Sequence, residues 1–168
     1  DILGLRTLSV IYNTCKEVGI HPRDIDLKGE EIYSNLQNIT TPHGIFQIEA
    51  DTDFRVCRKI NPRNLDELSA VIAIARPGAL DFLDDYARYR NTGDFQSVHE
   101  VFDEILKATA GIPLYQEQLM QMAVKLGFTL DEAEQLRRIV GKKKVDQMPE
   151  WKQKIKDKIA ENELPEEA

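Results

Sequence analysis

Five fixed positive charges stand within the eight residues from Arg137 to Lys144, in a chain whose formal net charge is −7. Two adjacent arginines, Arg137 and Arg138, are followed by a row of lysines at 142–144. Arginine presents a planar fork of N–H donors that matches phosphate oxygens, and lysine adds a mobile point charge. The partial negative charge of a helix C-terminus would also stabilise such cations without any ligand. The segment is therefore either a phosphate-binding site or a solvated helix end.

The distribution of charge along the chain favours phosphate binding. Residues 136–158, called the basic segment below, hold nine Lys or Arg against three Asp or Glu, a balance of +6. The remaining residues hold 13 basic and 26 acidic side chains, a balance of −13. A basic stripe on an acidic protein is typical of contact with a polyanion at one place, such as a nucleotide or a nucleic acid.

An amphipathic helix is expected to hold the two arginines in place. Thr129 can cap its first turn, and Glu132, three residues later, can complete a capping box. Gly141 is expected to end it. Apolar residues recur at helical spacing at Leu136, Ile139 and Val140.

The rest of the sequence predicts a mainly α fold of roughly eight helices with at most scraps of strand. Asn64 with Glu67, and Ser97 with Glu100, are expected to cap two of these helices. A compact extended or turn element is expected at 45–49, and a linker at 111–113. The other predicted helices are 2–18, 30–36, 54–60, 65–75, 80–90, one ending at 107, 115–126 and 150–160, the last with Pro149 in its first turn.

Length and composition predict an ordinary globular protein of one domain or two small lobes, with 168 residues, 42% hydrophobic and 30% charged. No apolar run approaches the roughly 20 residues that a membrane span needs, and the first residues lack a signal-peptide layout. Cys15 and Cys57 are far apart and are expected to be buried, reduced thiols. We therefore expect a cytoplasmic protein without membrane contact, and a start without methionine indicates a fragment of a larger protein.

A complete catalytic set is not evident in the sequence. The three histidines share no metal-ligand spacing with the cysteines, and the sequence has neither a Gly-rich phosphate loop nor a Gly-x-Ser-x-Gly motif. Asp84 and Asp85 would point about 100° apart on a helix, so we interpret them as surface residues. The segment 115–118, Tyr-Gln-Glu-Gln, has two interpretations. Its side chains hydrogen-bond the base, the sugar or the backbone of a nucleic acid, or the segment is an ordinary polar helix start. An autonomous small enzyme is thus the least favoured interpretation.

Five segments together resemble the α subunit of bacterial DNA polymerase III, the C-family replicative polymerase. They are DILGLRTL at 1–8, GIFQIE at 44–49, RPG at 76–78, YQEQLMQ at 115–121 and LRRIVGKKK at 136–144. Residues 79–112 match only loosely, since the family has a second proline where this chain has Ala79. The resemblance implies an irregular multi-helix fingers domain: residues 1–20 would be the end of the palm and the first helix leading into the fingers. Residues 21–168 would be the fingers, with sub-lobes of about 21–110 and 111–168.

The resemblance also implies roles for individual residues. Asp1 would be the last of three palm carboxylates that hold the two catalytic Mg²⁺ ions, and two-metal phosphoryl transfer needs several such carboxylates. Because the resemblance places its Asp-x-Asp partners upstream of Asp1, we expect the isolated chain to be inactive. Arg137 and Arg138 would grip the triphosphate of the incoming nucleotide. Further candidates for nucleotide or template contact are Lys142, Lys143, Gln116, Arg76 and Gln47.

The predicted function is that of the fingers of a bacterial or phage replicative DNA polymerase, a nucleotidyltransferase that extends a primer. Its partners would be deoxynucleoside triphosphates, template-primer DNA, the rest of the polymerase chain, the sliding clamp and other holoenzyme subunits. The alternative is a non-enzymatic helical module that binds nucleic acid or a protein through the basic segment.

Overall fold

A computed structural model of the chain describes residues 4–162, and these residues form nine α-helices and no strand. The predicted mainly α fold is confirmed. Helix α1 begins at Arg6, and the expected helical residues 2 and 3 lie outside the described part. The helices are α1 Arg6–Val18, α2 Glu30–Asn38, α3 Asp51–Ile60, α4 Leu65–Ile74, α5 Leu83–Thr92, α6 Glu100–Leu106, α7 Gln116–Lys125, α8 Leu130–Gly141 and α9 Met148–Glu161. None of the helices in this part of the chain is long and apolar enough to span a membrane.

The described residues fall into two compact units, one ending at Ala75 and the other beginning at Arg76. The predicted sub-lobe boundary near residue 110 lies inside the second unit, where residues 110–112 are buried rather than forming an exposed linker. The division into 1–20, 21–110 and 111–168 stays a prediction.

The first unit, which contains α1–α4, is built around the pair α3 and α4. The apolar faces of these helices bury Val56 and Ile60 against Val71 and Ile74, all essentially inaccessible to solvent. Asn64 caps α4 as predicted, because its Oδ1 accepts a hydrogen bond from the N–H of Glu67 at 2.9 Å. Both cysteines are buried free thiols, also as predicted. The element at 45–49 is a turn, with buried Ile48 at its end.

The second unit, which contains α5–α9, has its core between the last four helices. Phe128 and Trp151 pack with their ring centroids 5.7 Å apart, and these two aromatics join the loop before α8 to α9. Helix α7 contacts both α6 and α8. The buried cluster consists of Phe102, Leu106, Ala123, Leu126, Phe128, Ala133, Leu136, Ile139, Trp151 and Ile159. The face of α8 that lies opposite this core is therefore the one available to a ligand.

Two predicted helix starts in the second unit are wrong in detail. Ser97 does not cap α6, because its hydroxyl donates to the Asp103 carboxylate within the helix. His99 is the N-cap instead, and its Nδ1 accepts from the N–H of Val101 at 3.2 Å. The helix expected at 80–90 begins with a 3₁₀ turn, residues 80–82, before α5 starts. Pro149 does lie in the first turn of α9, where its missing N–H costs no helical hydrogen bond.

Candidate phosphate-binding site

Helix α8 carries the two arginines, and the predicted capping box fixes its start. The N–H of Glu132 donates to the Thr129 hydroxyl at 3.3 Å, and the N–H of Thr129 donates to the Glu132 carboxylate at 2.8 Å. The bonds from Thr129 lower the pKa of Glu132. One face of the helix is buried through Ala133, Leu136 and Ile139. Because Arg137 and Arg138 follow Leu136 directly, they emerge beside this buried stripe, with side chains 28% and 66% exposed.

The end of α8 differs from the prediction. Gly141 is still helical and has no positive φ, while Lys143 takes the left-handed conformation with φ 50°. The reason is that the N–H of Lys142 still bonds the Arg138 carbonyl at 3.0 Å, so the ladder runs one residue further than expected. Lys142, Lys143 and Lys144 are exposed, and none makes an ion pair with another residue of the described range. Their charge is thus available beside the arginines.

Both arginines bind one carboxylate, that of Glu134. Arg137 binds it through two N–H groups, with Nε 2.6 Å from Oε2 and Nη2 2.7 Å from Oε1. Arg138 donates from Nε to Oε1 at 2.8 Å. The side chain of Glu134 is 30% exposed, so the contact is only partly screened by water. Glu134 therefore holds two guanidinium groups in one cluster on the outer face of α8.

A third residue reaches this cluster from α7. Gln116, the first residue of that helix, accepts a hydrogen bond from Arg137 Nη1 through Oε1 at 2.7 Å. The start of α7 is itself fixed by buried Gln118, whose Oε1 accepts from the N–H groups of residues 114 and 115. The other end of its amide donates to Thr109 Oγ1 at 2.7 Å. Gln118 is thus a packing residue, and Gln116 is the residue that lies at the arginines.

The hydrogen bonds leave several arginine donors unused. A guanidinium has five N–H groups. Within the described chain, Arg137 uses three of them on Glu134 and Gln116, and Arg138 uses one on Glu134. Arg137 therefore keeps two N–H groups and Arg138 keeps four. A phosphate group could bind these donors without breaking the contacts that hold the arginines in place, because the remaining N–H groups are not engaged by Glu134 or Gln116.

Two further predicted site residues, Gln47 and Arg76, belong to the first unit and to the start of the second unit, respectively. Gln47 is exposed in the turn of the first unit, with a left-handed φ of 64°. Arg76 is exposed at the corner that starts the second unit, where its carbonyl accepts from the N–H of Ala79. The side chain of Arg76 makes no hydrogen bond or ion pair with another residue in 4–162, so the corner is not tied down by it. Asp1 lies outside the described residues.

A metal site is not formed by the described residues. Between residues 4 and 162, no group of three or more His, Cys, Asp or Glu side chains is placed so as to hold an ion. The carboxylates described here therefore do not fit the Mg²⁺ pair that the resemblance implies. Asp1 as a metal ligand stays a prediction.

Glu134 is the site residue that the sequence interpretation missed. A signal for it was present, because Glu134 precedes Arg137 by three residues and Arg138 by four, the two spacings at which side chains meet on a helix surface. Hydrogen bonds from Arg137, and then from Arg138, lower the pKa of Glu134 from 4.5 to about 2.

We expect a titration of the Glu134 carboxyl carbon by NMR to give a midpoint near 2. Since the folded-state pKa lies below 4.5, the ionised contact supports the fold fully above about pH 4.5 and loses that effect as the pH falls towards 2. Replacing Arg137 by alanine should raise the midpoint, because its bonds are the largest cause of the shift. Arg88→Ala, which removes a separate arginine paired with Asp85, should leave it unchanged. A midpoint near 4.5 in the unaltered chain would contradict the arrangement.

Comparison with known proteins places the chain in a family. The model of the bacterial DNA polymerase III alpha subunit finger domain matches residues 5–163. The DNA polymerase III subunit alpha of Thermotoga maritima is 36% identical over 161 residues, covering 96% of this chain and 18% of that protein. The subunit from Caulobacter vibrioides is 32% identical, covering 99% and 15%. The error-prone DNA polymerase of Nocardia farcinica is 34% identical, covering 95% and 14%.

The chain thus spans less than a fifth of the length of each of these relatives, while the family match covers nearly all of the chain. The match includes the helices α7 and α8 that carry Gln116, Glu134 and the two arginines. The chain belongs to the family of finger domains of the bacterial DNA polymerase III α subunit.

Proposed function

We propose that this chain acts as the fingers of a replicative DNA polymerase and binds the triphosphate of the incoming deoxynucleotide through Arg137 and Arg138. The observation that carries the proposal is the arginine pair itself, anchored on Glu134 and still holding unused N–H donors. A triphosphate is a compact, highly charged ligand. Two adjacent guanidinium groups suit it because each stays charged and can engage two oxygens.

The lysines that follow α8 add to the same field. Lys142 and Lys143 come directly after the last helical residue and are exposed, so their charge attracts a polyanion to this end of the helix. Gln116 contributes through Arg137, with which it shares a hydrogen bond. Gln47 and Arg76 remain candidates for contact with the template strand or the nucleotide.

The proposed chemistry is nucleotidyl transfer to a primer on a DNA template. Negative charge shifts towards the leaving pyrophosphate as the reaction proceeds, so fixed cations stabilise the transition state as well as the bound nucleotide. Mg²⁺, with Asp1 among its ligands, is assigned to the longer polymerase, and the fingers supply positioning and positive charge. Template-primer DNA, the remaining polymerase chain and other replisome proteins, including a sliding clamp, are the proposed partners.

A second candidate is binding of a nucleic-acid backbone by the basic segment alone. It is favoured by the exposed lysines 142–144, which have no acidic partner in the described part of the chain. Such binding would be sequence-independent and would weaken steeply with salt. It would not require any other part of a polymerase.

One experiment with the purified 168-residue chain separates the two candidates. We expect no primer extension with Mg²⁺ and all four nucleotides, because residues 4–162 form no group of side chains that could hold a metal ion, whereas the longer polymerase that carries these residues should extend the primer. Titration with primer–template DNA at several salt concentrations should show weak binding at most. Extension by the isolated chain would refute the proposal, and tight, salt-dependent DNA binding by it would favour the separate binding module.

A further inference from the structure

Glu134 stands at the centre of the candidate site although its charge has the same sign as the proposed ligand. Its two oxygens receive three hydrogen bonds of 2.6–2.8 Å from Arg137 and Arg138. Arg88, Lys125, Lys154 and Lys158 each form an ion pair with a single acidic side chain. At Glu134 a single carboxylate serves two adjacent arginines. This arrangement needs an explanation beyond ordinary surface pairing.

Stabilisation of the fold is a weak explanation. Ion pairs between partly exposed side chains contribute little to the free energy of unfolding, because water screens them and ordering long side chains costs entropy. Arg138 is two-thirds exposed and donates one bond to Glu134. The contact therefore does more to fix where the guanidinium groups lie than to hold α8 in the protein.

Fixing an arginine before its ligand arrives increases affinity. A free arginine side chain samples many rotamers and loses them on binding, whereas an arginine already held in one orientation has less freedom to lose. Arg137 is held at three N–H groups, by Glu134 and by Gln116 from the neighbouring helix. Its two remaining N–H groups thus have defined directions, and Arg138 is tied through Nε to the same carboxylate.

We propose that Glu134 is a positioning residue of the nucleotide site, which holds Arg137 and Arg138 in the orientation that receives the triphosphate. The inference rests on the proposed function and adds to it a residue that does not itself touch the nucleotide. The opposite role would be competition, in which the carboxylate occupies the arginines and the triphosphate has to displace it. The two roles predict opposite signs for the effect of removing Glu134.

The test is single-nucleotide incorporation by the longer polymerase that carries these residues, measured against nucleotide concentration. For Glu134→Ala we expect the half-saturating nucleotide concentration to rise roughly three- to tenfold. This is the entropic cost of ordering one or two arginine side chains when the nucleotide binds. The affinity for primer–template DNA should stay the same. Glu134→Gln keeps one acceptor oxygen and should show a smaller rise. Asp131→Asn, which removes a charge from the exposed first turn of α8, is the matched control and should have no effect.

A double-mutant cycle separates positioning from a general structural role. If Glu134 acts through the arginines, Glu134→Ala should cause no further loss in a variant that already lacks Arg137 and Arg138, since coupled residues are not additive. An additive loss would overturn the proposal, and so would an unchanged or lowered half-saturating concentration for Glu134→Ala alone.

If the arginine variant itself uses nucleotide normally, the proposed function fails. If only the Glu134 variants behave normally, only this inference fails. Thermal unfolding confirms that each variant is folded, and Glu134→Gln serves where alanine is not tolerated.

Discussion

Replacing Arg137 or Arg138 by alanine in the longer polymerase is expected to weaken nucleotide use by about ten- to a hundredfold, the usual range for a lost hydrogen bond to a charged group. The reason is that each arginine offers charged N–H donors to the triphosphate and to the leaving pyrophosphate. Part of the loss should therefore appear in the rate of incorporation at saturating nucleotide, in addition to the half-saturating concentration. The measurement is the rate of single-nucleotide incorporation over a range of nucleotide concentrations.

The same variants distinguish nucleotide contact from DNA-backbone contact. A titration with primer–template DNA at several salt concentrations should show nearly unchanged affinity and salt dependence. Arg88→Ala, in which the lost arginine is likewise paired with an acidic residue three positions earlier, is the control and should leave incorporation intact. If the Arg137 and Arg138 variants kept normal nucleotide use but lost DNA affinity and part of its salt dependence, these arginines would be backbone contacts and the assignment would be wrong.

Trp151→Ala is expected to lower the free energy of unfolding of the second unit by about 3–5 kcal/mol, the usual cost of deleting a buried aromatic side chain. Trp151 is 4% exposed and packs against Phe128 in the cluster shared by α6–α9. Its loss would leave a cavity where α9 meets the loop before α8. Because average domains are stable by only 5–15 kcal/mol, this change removes a large part of the total.

Denaturant unfolding followed by far-ultraviolet circular dichroism measures this effect, since the substitution removes the single tryptophan needed for fluorescence. Val145→Ala is a suitable control, because Val145 lies nearby in sequence and is 74% exposed. Substitutions at such exposed positions usually change stability by no more than about 0.5 kcal/mol. A Trp151→Ala variant as stable as the Val145→Ala variant would show that α9 does not depend on the shared core.

Local features of the site could be predicted because their partners lie within one helical turn. Thr129 and Glu132 form the expected capping box, since a residue and its third neighbour meet at a helix start whatever surrounds them. The same rule places Glu134 beside Arg137 and Arg138, although the prediction did not use it. The family, too, was evident from the order and spacing of short segments, and the match over residues 5–163 confirms it.

The helix ends at which two groups compete for the same role could not be predicted from residue type and spacing. Ser97 has the residue type of a cap, but its hydroxyl binds Asp103 and His99 takes the capping position. Gly141 has the residue type of a helix end, but the backbone continues helically and Lys143 turns left-handed instead. In both places a different hydrogen bond forms: the Ser97 hydroxyl donates to Asp103, and the N–H of Lys142 continues the helix by donating to the Arg138 carbonyl.

The sequence by itself determined the mainly helical architecture, the family and the cluster of positive charge, because these follow from periodicity, residue order and composition. Only the tertiary structure decided how the site is assembled across the chain. Gln116 meets Arg137 over 21 positions because α7 and α8 pack side by side on a common core. Gln118 has the same chemistry as Gln116 and lies two residues away, yet it is buried and bonded to Thr109. Which of two glutamines faces the arginines depends on which side of α7 the core covers, and that is set by contacts between residues far apart in the chain.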